Sequence, residues 1–364
     1  MDRRAFLAIT AGSSLLFTGF KFSDTIVKSC LDLSDKVSDF AKRLKPIGRK
    51  LETEGYYVWG TSPIIGPDGK IHVFFSRWPS KFGMGGWIHK SEIAHAVADT
   101  PEGEYQVIST VLAPRGDGFW DGTTCHNPHI KKADGKYCLF YMGNSNRKTN
   151  TKRVGLAIAD SPYGPWKRPD EPLVEASKEE DAWDNHCTSN PTFVKHPNGQ
   201  YWLYYKSWNT GEYENYTDPK IRGNRKYGLA IADKLEGPYV KYEGNPVLDY
   251  SDRGNNIQAE DGYVWFENGK FKMVMRDMGI FNHQYGLYLE SADGLNWSEP
   301  KIAYYNTDHY FSQPPAPSHL SKYGRFERPQ LLLQDNGSPS HLFLTTQGGK
   351  YMTSSTFVFK IEGE

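Results

Sequence analysis

Three carboxylates in this chain stand where an otherwise repeating sequence carries other residues. Trp120-Asp121 leads to Asn127-Pro128, and Trp183-Asp184 leads to Asn190-Pro191 with the same spacing. Two later openings of the same kind read Glu260-Asp261-Gly262 and Glu327-Arg328-Pro329. Departure from an internal repeat is a better sign of function than the repeat, so Glu260, Asp261 and Glu327 lead the search. Carboxyl groups that face one pocket can cleave a glycosidic bond: one protonates the departing oxygen while another activates water or attacks carbon. Inverting chemistry of this kind holds the two roughly 6.5 to 9.5 Å apart. Asp121 and Asp184 join the candidates, against a scaffold role in which each ties its Trp-Asp turn to a neighbouring unit.

Elements far apart in sequence must bring these groups together. Pro63, Pro128, Pro191, Gly262 and Pro329 each open a short apolar run, at steps of 65, 63, 71 and 67 residues. An Asx-Gly pair follows each run, at Asp68-Gly69, Asp134-Gly135, Asn198-Gly199, Asn268-Gly269 and Asn336-Gly337, and then comes a second apolar run. The tight primed turn needs positive φ at both central residues, which Asx-Gly supplies, so five hairpins are expected. Third strands are expected at residues 93–98, 154–159, 227–232, 286–291 and 354–360. Short fourth strands are expected at 107–112, 173–174, 247–248 and 301–304. Four strands per unit, repeated at long period, predict an all-β chain: a five-bladed β-propeller over residues 57–364, with 354–360 closing the ring against 56–59.

Lys plus Arg, 43, balances Asp plus Glu, 43, so no long-range field draws this chain to nucleic acid or to an anionic membrane. The aromatic share of 14% suits strands packed on both faces and leaves rings for stacking on sugars. Met1-Asp2-Arg3-Arg4-Ala5-Phe6-Leu7, followed by an apolar stretch to about residue 20, resembles a twin-arginine export signal. Residues 1–23 are therefore read as a signal for export to the periplasm or beyond, with a retained anchor as the competing outcome. Apolar residues at helical spacing through residues 24–53, stopped by Pro46, make 24–56 a helical segment that latches the ring or joins two copies as a homodimer. Cys30, Cys125, Cys138 and Cys187 lack paired metal-ligand spacing. Cys125 and Cys187 fall one place apart in the repeat, which admits a bridge, although buried free thiols are the expectation.

Inner strands of a propeller run along its central channel, so residues at 59–65, 120–130, 183–193, 258–265 and 319–331 converge on one funnel. Trp59, Arg77, Trp78, His126, Asn127, Asp184, His186, Glu260, Arg276 and Arg328 are the expected sugar contacts. Aromatic faces stack on the apolar face of a pyranose, and guanidinium forks bind hydroxyls or carboxylates. No cofactor is required by such chemistry, and a structural divalent cation in the channel is admitted. An oligosaccharide is the expected partner.

Residues 57–364, with His126-Asn127-Pro128-His129-Ile130 and Gly135-Lys136-Tyr137 as blade openings, resemble the five-bladed propeller glycoside hydrolases represented by family 43. That family is expected to place Asp, Asp and Glu on its first three blades, where this chain has Ser62, Asn127 and Ser189-Asn190. A nearer resemblance is to glycoside hydrolase family 117, exo-acting α-1,3-(3,6-anhydro-L-galactosidases) with a helical segment ahead of the propeller. That family uses a histidine acid with a glutamate eight residues onward, a spacing that His319 and Glu327 reproduce. The resemblance implies Asp121 as general base and Asp261 as supporting acid, with Glu260 as its rival. It implies exo-acting, inverting hydrolysis that releases 3,6-anhydro-L-galactose from agar oligosaccharides. The alternatives are another propeller exo-glycosidase, of arabinofuranosidase, xylosidase or galactosidase type, and a carbohydrate-binding propeller without turnover.

Overall fold

Two of the five Asx-Gly pairs form the tight turn expected of them. Asp134 and Gly135 have φ of 51° and 76°, Asn268 and Gly269 of 52° and 75°, and each pair joins its strands directly, Ala133 facing Lys136 and Glu267 facing Lys270. In the other three only the glycine is left-handed, at Gly69, Gly199 and Gly337. These are longer loops, closed by Gly66 N–H donating to Lys70, His196 to Gln200 and Gln334 to Ser338. Pro67 and Pro197 occupy the position that presets φ for an ordinary type I turn, which explains the longer form at two of the three.

The computed structural model describes residues 33–216, 218, 222–312, 320 and 324–363. The expected export signal, residues 24–32 of the expected helical segment, Cys30 and His319 lie outside the described residues. From Lys36 onward the chain is a five-bladed β-propeller. Its inner strands are Tyr56–Ile65, Thr124–Ala133, Ser189–Lys195, Glu260–Glu267 and Glu327–Leu333, each followed by a second and a third antiparallel strand. Fourth strands at Gln106–Leu112, Val240–Lys241 and Lys301–Tyr304 complete blades 1, 3 and 4, while blade 2 has only the bridges Val154 to Val174 and Ile158 to Lys167.

Blade 5 takes its fourth strand from the other end of the chain. Leu44–Leu51 pairs antiparallel with Ser354–Ile361, Leu44 facing Ile361 and Leu51 facing Thr356. This corrects two expectations. Residues 44–51 are a strand, and among the described residues of this segment the α-helix is Asp39–Lys42, after a single 3-10 turn at Ser34–Lys36; the closing strand pairs along its backbone with Leu44–Leu51, while the Ser354 hydroxyl accepts from the Val58 N–H and donates to its carbonyl. Pro46 stops no helix here, because an outermost strand needs no N–H on its solvent side.

Five apolar clusters sit between successive blades. Phe74 packs with Leu139, Phe140 with Phe193, Tyr204 with Val264, Tyr263 with Leu331, and Phe343 with Val58. The last of these closes the circle. The repeated phrases are a packing unit: Trp120 stacks on Tyr141 and Trp183 on Tyr205, at ring separations of 5.3 and 5.8 Å. Each indole lies against the glycine of the third strand, Gly155 or Gly228, and a Cβ added at Gly228 would come within 2.6 Å of Trp183.

Candidate active site

Every inner strand carries a β-bulge at the same place. Trp59 faces Ser76 and Ser62 faces Phe74, so one extra residue is accommodated between them; the same slip lies between His126 and His129, Ser189 and Thr192, Glu260 and Tyr263, and Glu327 and Gln330. The first bulge residue is left-handed in all five: Gly60, Asn127, Asn190, Asp261 and Arg328, with φ between 46° and 62°. Gly60 is thus the counterpart of Asn127, and Pro63 lies two residues beyond the place that Pro128 occupies. Glycine, asparagine and aspartate tolerate this conformation; arginine rarely adopts it, and Arg328 is held there by its surroundings.

Bulges re-aim side chains, and these five meet around the axis. Asn127 Nδ2 donates to Asn190 Oδ1 at 2.8 Å, and Asn190 Nδ2 donates to Asp261 Oδ1 at 2.8 Å and Glu260 Oε1 at 3.1 Å. The Arg328 backbone N–H donates to Asp261 Oδ2 at 3.2 Å. Its buried guanidinium lies 3.5 Å from Asp261 and packs over Gly60, where an added Cβ would sit 3.5 Å from Nε. Because blade 1 offers no side chain at its bulge, the arginine from blade 5 extends into the space beside Gly60, near Asn127.

Above this floor lies a pocket of about 390 Å³. Glu260, Asp261 and Glu327 line it from blades 4 and 5, and Trp59, Trp87, Trp208 and Tyr213 supply aromatic wall. Glu260 is buried between Lys206 and Arg225, which bind one oxygen each. Burial alone would raise its pKa, but the two cations outweigh burial and hold the carboxyl well below the usual range. Burial draws Lys206 down to about 8 although Glu260 opposes it; the carboxylate gains more from the contact because it faces two cations. Asp261 is raised, by burial first and then by the adjacent Glu260 charge, with Arg328 opposing. Glu327 pairs with Arg276 at 2.6 Å and Arg325 at 3.1 Å. His126 stacks on Trp87 at 5.3 Å, meets Ser91 Oγ at 2.9 Å, and is driven far below its ordinary pKa by burial and by the positive charge of Arg328 and Lys152.

Of the residues singled out in the sequence, Trp59, His126, Asn127, Glu260, Asp261, Arg276 and Glu327 line this pocket. Arg328 lies in its floor. Five others are placed elsewhere, with visible reasons. Asp121 is fully buried and accepts from Arg115 at 2.6 Å, Arg168 at 3.0 Å and the Tyr141 hydroxyl at 2.7 Å, so both oxygens are committed within the scaffold. Asp184 repeats the arrangement with Tyr205 at 2.9 Å and Lys241 at 2.6 Å. In both blades the carboxylate binds the hydroxyl of the same tyrosine on which the preceding tryptophan stacks. Arg77 turns outward to Glu92 and Thr110. His186 is occupied by Thr149 and Thr210 and stacks on Trp208.

Trp78 is a support, buried flat against Tyr57 at 5.2 Å with its edge toward His126. Lys206 is a pocket residue that the repeat does not flag, although it faces Ser189 as Arg276 faces Glu260; a lysine inside the aromatic run Tyr201–Ser207 is the available signal. Lys152, Trp208 and Arg225 come from loops, and Trp87 and Tyr213 from the short helical turns Trp87–Lys90 and Thr210–Glu214, none of which the repeat marks. Among the described residues no group of three or more His, Cys, Asp or Glu side chains is placed to hold a metal ion. Cys125, Cys138 and Cys187 are buried free thiols, and burial pushes Cys125 up to about 12.

No family model matches the chain, and no curated protein matches it. Solved structures do. Zg3597, a family 117 glycoside hydrolase from the marine bacterium Zobellia galactanivorans, superposes with a TM-score of 0.63 at 18% identity, covering 87% of this chain and 90% of that one. CoXyl43, a family 43 β-xylosidase/α-arabinofuranosidase from a compost microbial metagenome, seen in complex with xylotriose, gives 0.57 at 17% identity over 88% and 94%. A family 43 enzyme from Xanthomonas citri gives 0.55 at 14% identity over 86% and 90%. The chain therefore shares the five-bladed architecture of the family 117 and family 43 glycoside hydrolases at low sequence identity.

Proposed function

We propose that the central pocket hydrolyses a terminal glycosidic bond with inversion, using Asp261 and Glu327 as its acid–base pair. One observation carries this reading: two carboxyl groups from neighbouring blades face the same aromatic-walled pocket in different electrostatic settings. Asp261, raised by burial and by Glu260, is suited to carry the proton that the leaving oxygen needs. Glu327, fixed by Arg276 and Arg325, is the carboxylate that takes a proton from water. Glu260, locked by Lys206 and Arg225, accepts from the Asn190 amide and its charge raises the pKa of Asp261, so it serves the pair rather than reacting itself. The floor of bulge side chains ends the pocket near the axis, which favours exo action on a chain end.

This pair replaces Asp121 as the expected base. The role expected of His319 as acid stays a proposal that its variants can examine. Neutral agar oligosaccharides, with release of 3,6-anhydro-L-galactose, belong in the substrate screen beside arabinosides, xylosides and galactosides. Proton NMR of the first product anomer tests inversion, and internal cleavage of a long polymer contradicts exo action. A carbohydrate-binding propeller is the second reading, favoured by the ion pairs that already occupy Glu260 and Glu327. It prevails if the protein binds a sugar that it never turns over and if Asp261→Asn and Glu327→Gln leave that binding intact.

A further inference from the structure

Most cations in the pocket have a carboxylate beside them. Lys206 and Arg225 share Glu260, and Arg276 holds Glu327. Lys152 does not. It lines the pocket, is only 4% exposed, and its ammonium makes no ion pair or hydrogen bond with any described residue. Its contacts are aromatic, 4.4 Å from the Trp208 ring centre and 5.9 Å from that of Trp87. Its backbone is fixed at the junction of blades 2 and 3, accepting from the Thr188 N–H and donating to Thr149. Arg222 is a second cation of this pocket with no carboxylate paired to it among the described residues: it lies 3.8 Å from the Tyr213 ring centre, and Nε donates to the Tyr213 carbonyl.

Burial draws the pKa of Lys152 down, and Glu260 and Glu214 favour its charge only through space; a buried ammonium without a direct ion pair is costly, and aromatic faces recover only part of the lost hydration. Structural lysines avoid this by reaching water or an acid. We propose that Lys152 and Arg222 form an anion subsite of the central pocket and that the sugar it takes carries a fixed negative group, the carboxylate of a uronic acid or a sulfate ester. The subsite rests on the pocket being a sugar site. It adds that neutral pentoses and anhydro sugars are the poorer ligands. The aromatic rings that flank the ammonium also wall the sugar, so the anion is read beside the stacking surface. Desolvation on closing over the sugar strengthens a charge pair that would be weak in open water.

Titration calorimetry with glucuronate, galacturonate and galactose 6-sulfate, each against its neutral parent sugar, tests this directly. A charge-assisted contact in such a site contributes on the order of 1.5–3 kcal/mol, so an acidic sugar binds roughly ten- to a hundredfold tighter than its parent. The gap narrows as salt rises, and Lys152→Met brings the acidic sugar to the level of the neutral one. Arg222→Gln, nearer the rim, reduces the gap if the buried variant does not fold. A preference for the uronates identifies a carboxylate, and one confined to the sulfated sugar identifies a sulfate ester. Equal affinity for charged and neutral sugars, or no binding of either, overturns the subsite, as does an unchanged gap in both folded variants. Turnover of neutral oligosaccharides without gain from an acidic group sinks the subsite but leaves hydrolysis standing. Acid-selective binding without turnover does the reverse.

Discussion

Asp121→Asn separates a scaffold carboxylate from a catalytic one. The wild-type side chain has no solvent exposure and meets two guanidinium groups, on Arg115 and Arg168, whose side chains are 12% and 18% exposed. Asparagine keeps the shape and one acceptor but removes the charge, leaving Arg168 without its carboxylate while Arg115 keeps Asp170 at 2.7 Å, and turning an N–H toward one donor. Breaking a buried pair costs roughly 3–5 kcal/mol. The partial exposure of both arginines lets water reach them, which places this case near about 3 kcal/mol. With an unfolding entropy of about 2.1 cal/mol/K per residue, a propeller of this size loses roughly 1.5 °C per kcal/mol, so the melting temperature falls by roughly 4–5 °C. Tryptophan fluorescence on heating measures the shift, and kcat on a confirmed substrate, taken well below the transition, measures the chemistry. The expected result is a less stable protein with kcat within about twofold of wild type. A variant that melts like wild type but loses turnover more than about a hundredfold would refute the scaffold assignment and restore Asp121 as a base.

Glu327→Gln and Asp261→Asn should each lower kcat by about 10²–10⁴ while the protein stays folded, because the amides cannot exchange a proton; near-normal turnover in both removes the proposed pair. The raised pKa of Asp261 also makes stability depend on pH. The folded state holds this proton over a window where the unfolded chain, near 3.8, has lost it, so the contribution is complete below 3.8 and is lost as pH rises through the folded value. Asp261→Asn should therefore flatten the fall in stability above pH 3.8, and urea midpoints at stepped pH read this. Gly228→Ala should destabilise the fold by about 1–3 kcal/mol, because its methyl would press on Trp183 inside the packed repeat; an unchanged urea midpoint contradicts the packing described. Replacing Leu44 and Leu51 by lysine should loosen the closure of blade 5, seen as earlier hydrogen exchange at 354–361 than in the other third strands.

The number of blades was legible because the chain states its unit five times, and Asx-Gly pairs fix where each hairpin turns. Glu260, Asp261 and Glu327 were legible because they interrupt the repeat at its innermost point. Asp121 and Asp184 lie inside the repeat, and the sequence left each between a scaffold role and a site role. Their spacing is as regular as any motif, but only packing shows that each is drawn to the tyrosine under its neighbouring tryptophan. The strand Leu44–Leu51 was unreadable for a different reason: its apolar spacing suits a helix, and the partner that makes it a strand lies some three hundred residues onward, at Ser354–Ile361.

Local physics therefore determined what local physics can: turn positions, strand lengths, the all-β class and the residues that break register. Tertiary structure decided which charges share a cavity. The bulges turn Asn127, Asn190, Asp261 and Arg328 toward one axis, and Gly60 leaves the space into which the arginine extends. Lys152, Lys206, Arg222 and Arg225 enter the same pocket from separate strands and loops. Burial then sets each group's character, since a carboxyl between two cations and a carboxyl beside another carboxylate are the same chemistry in the sequence and opposite chemistry in the fold.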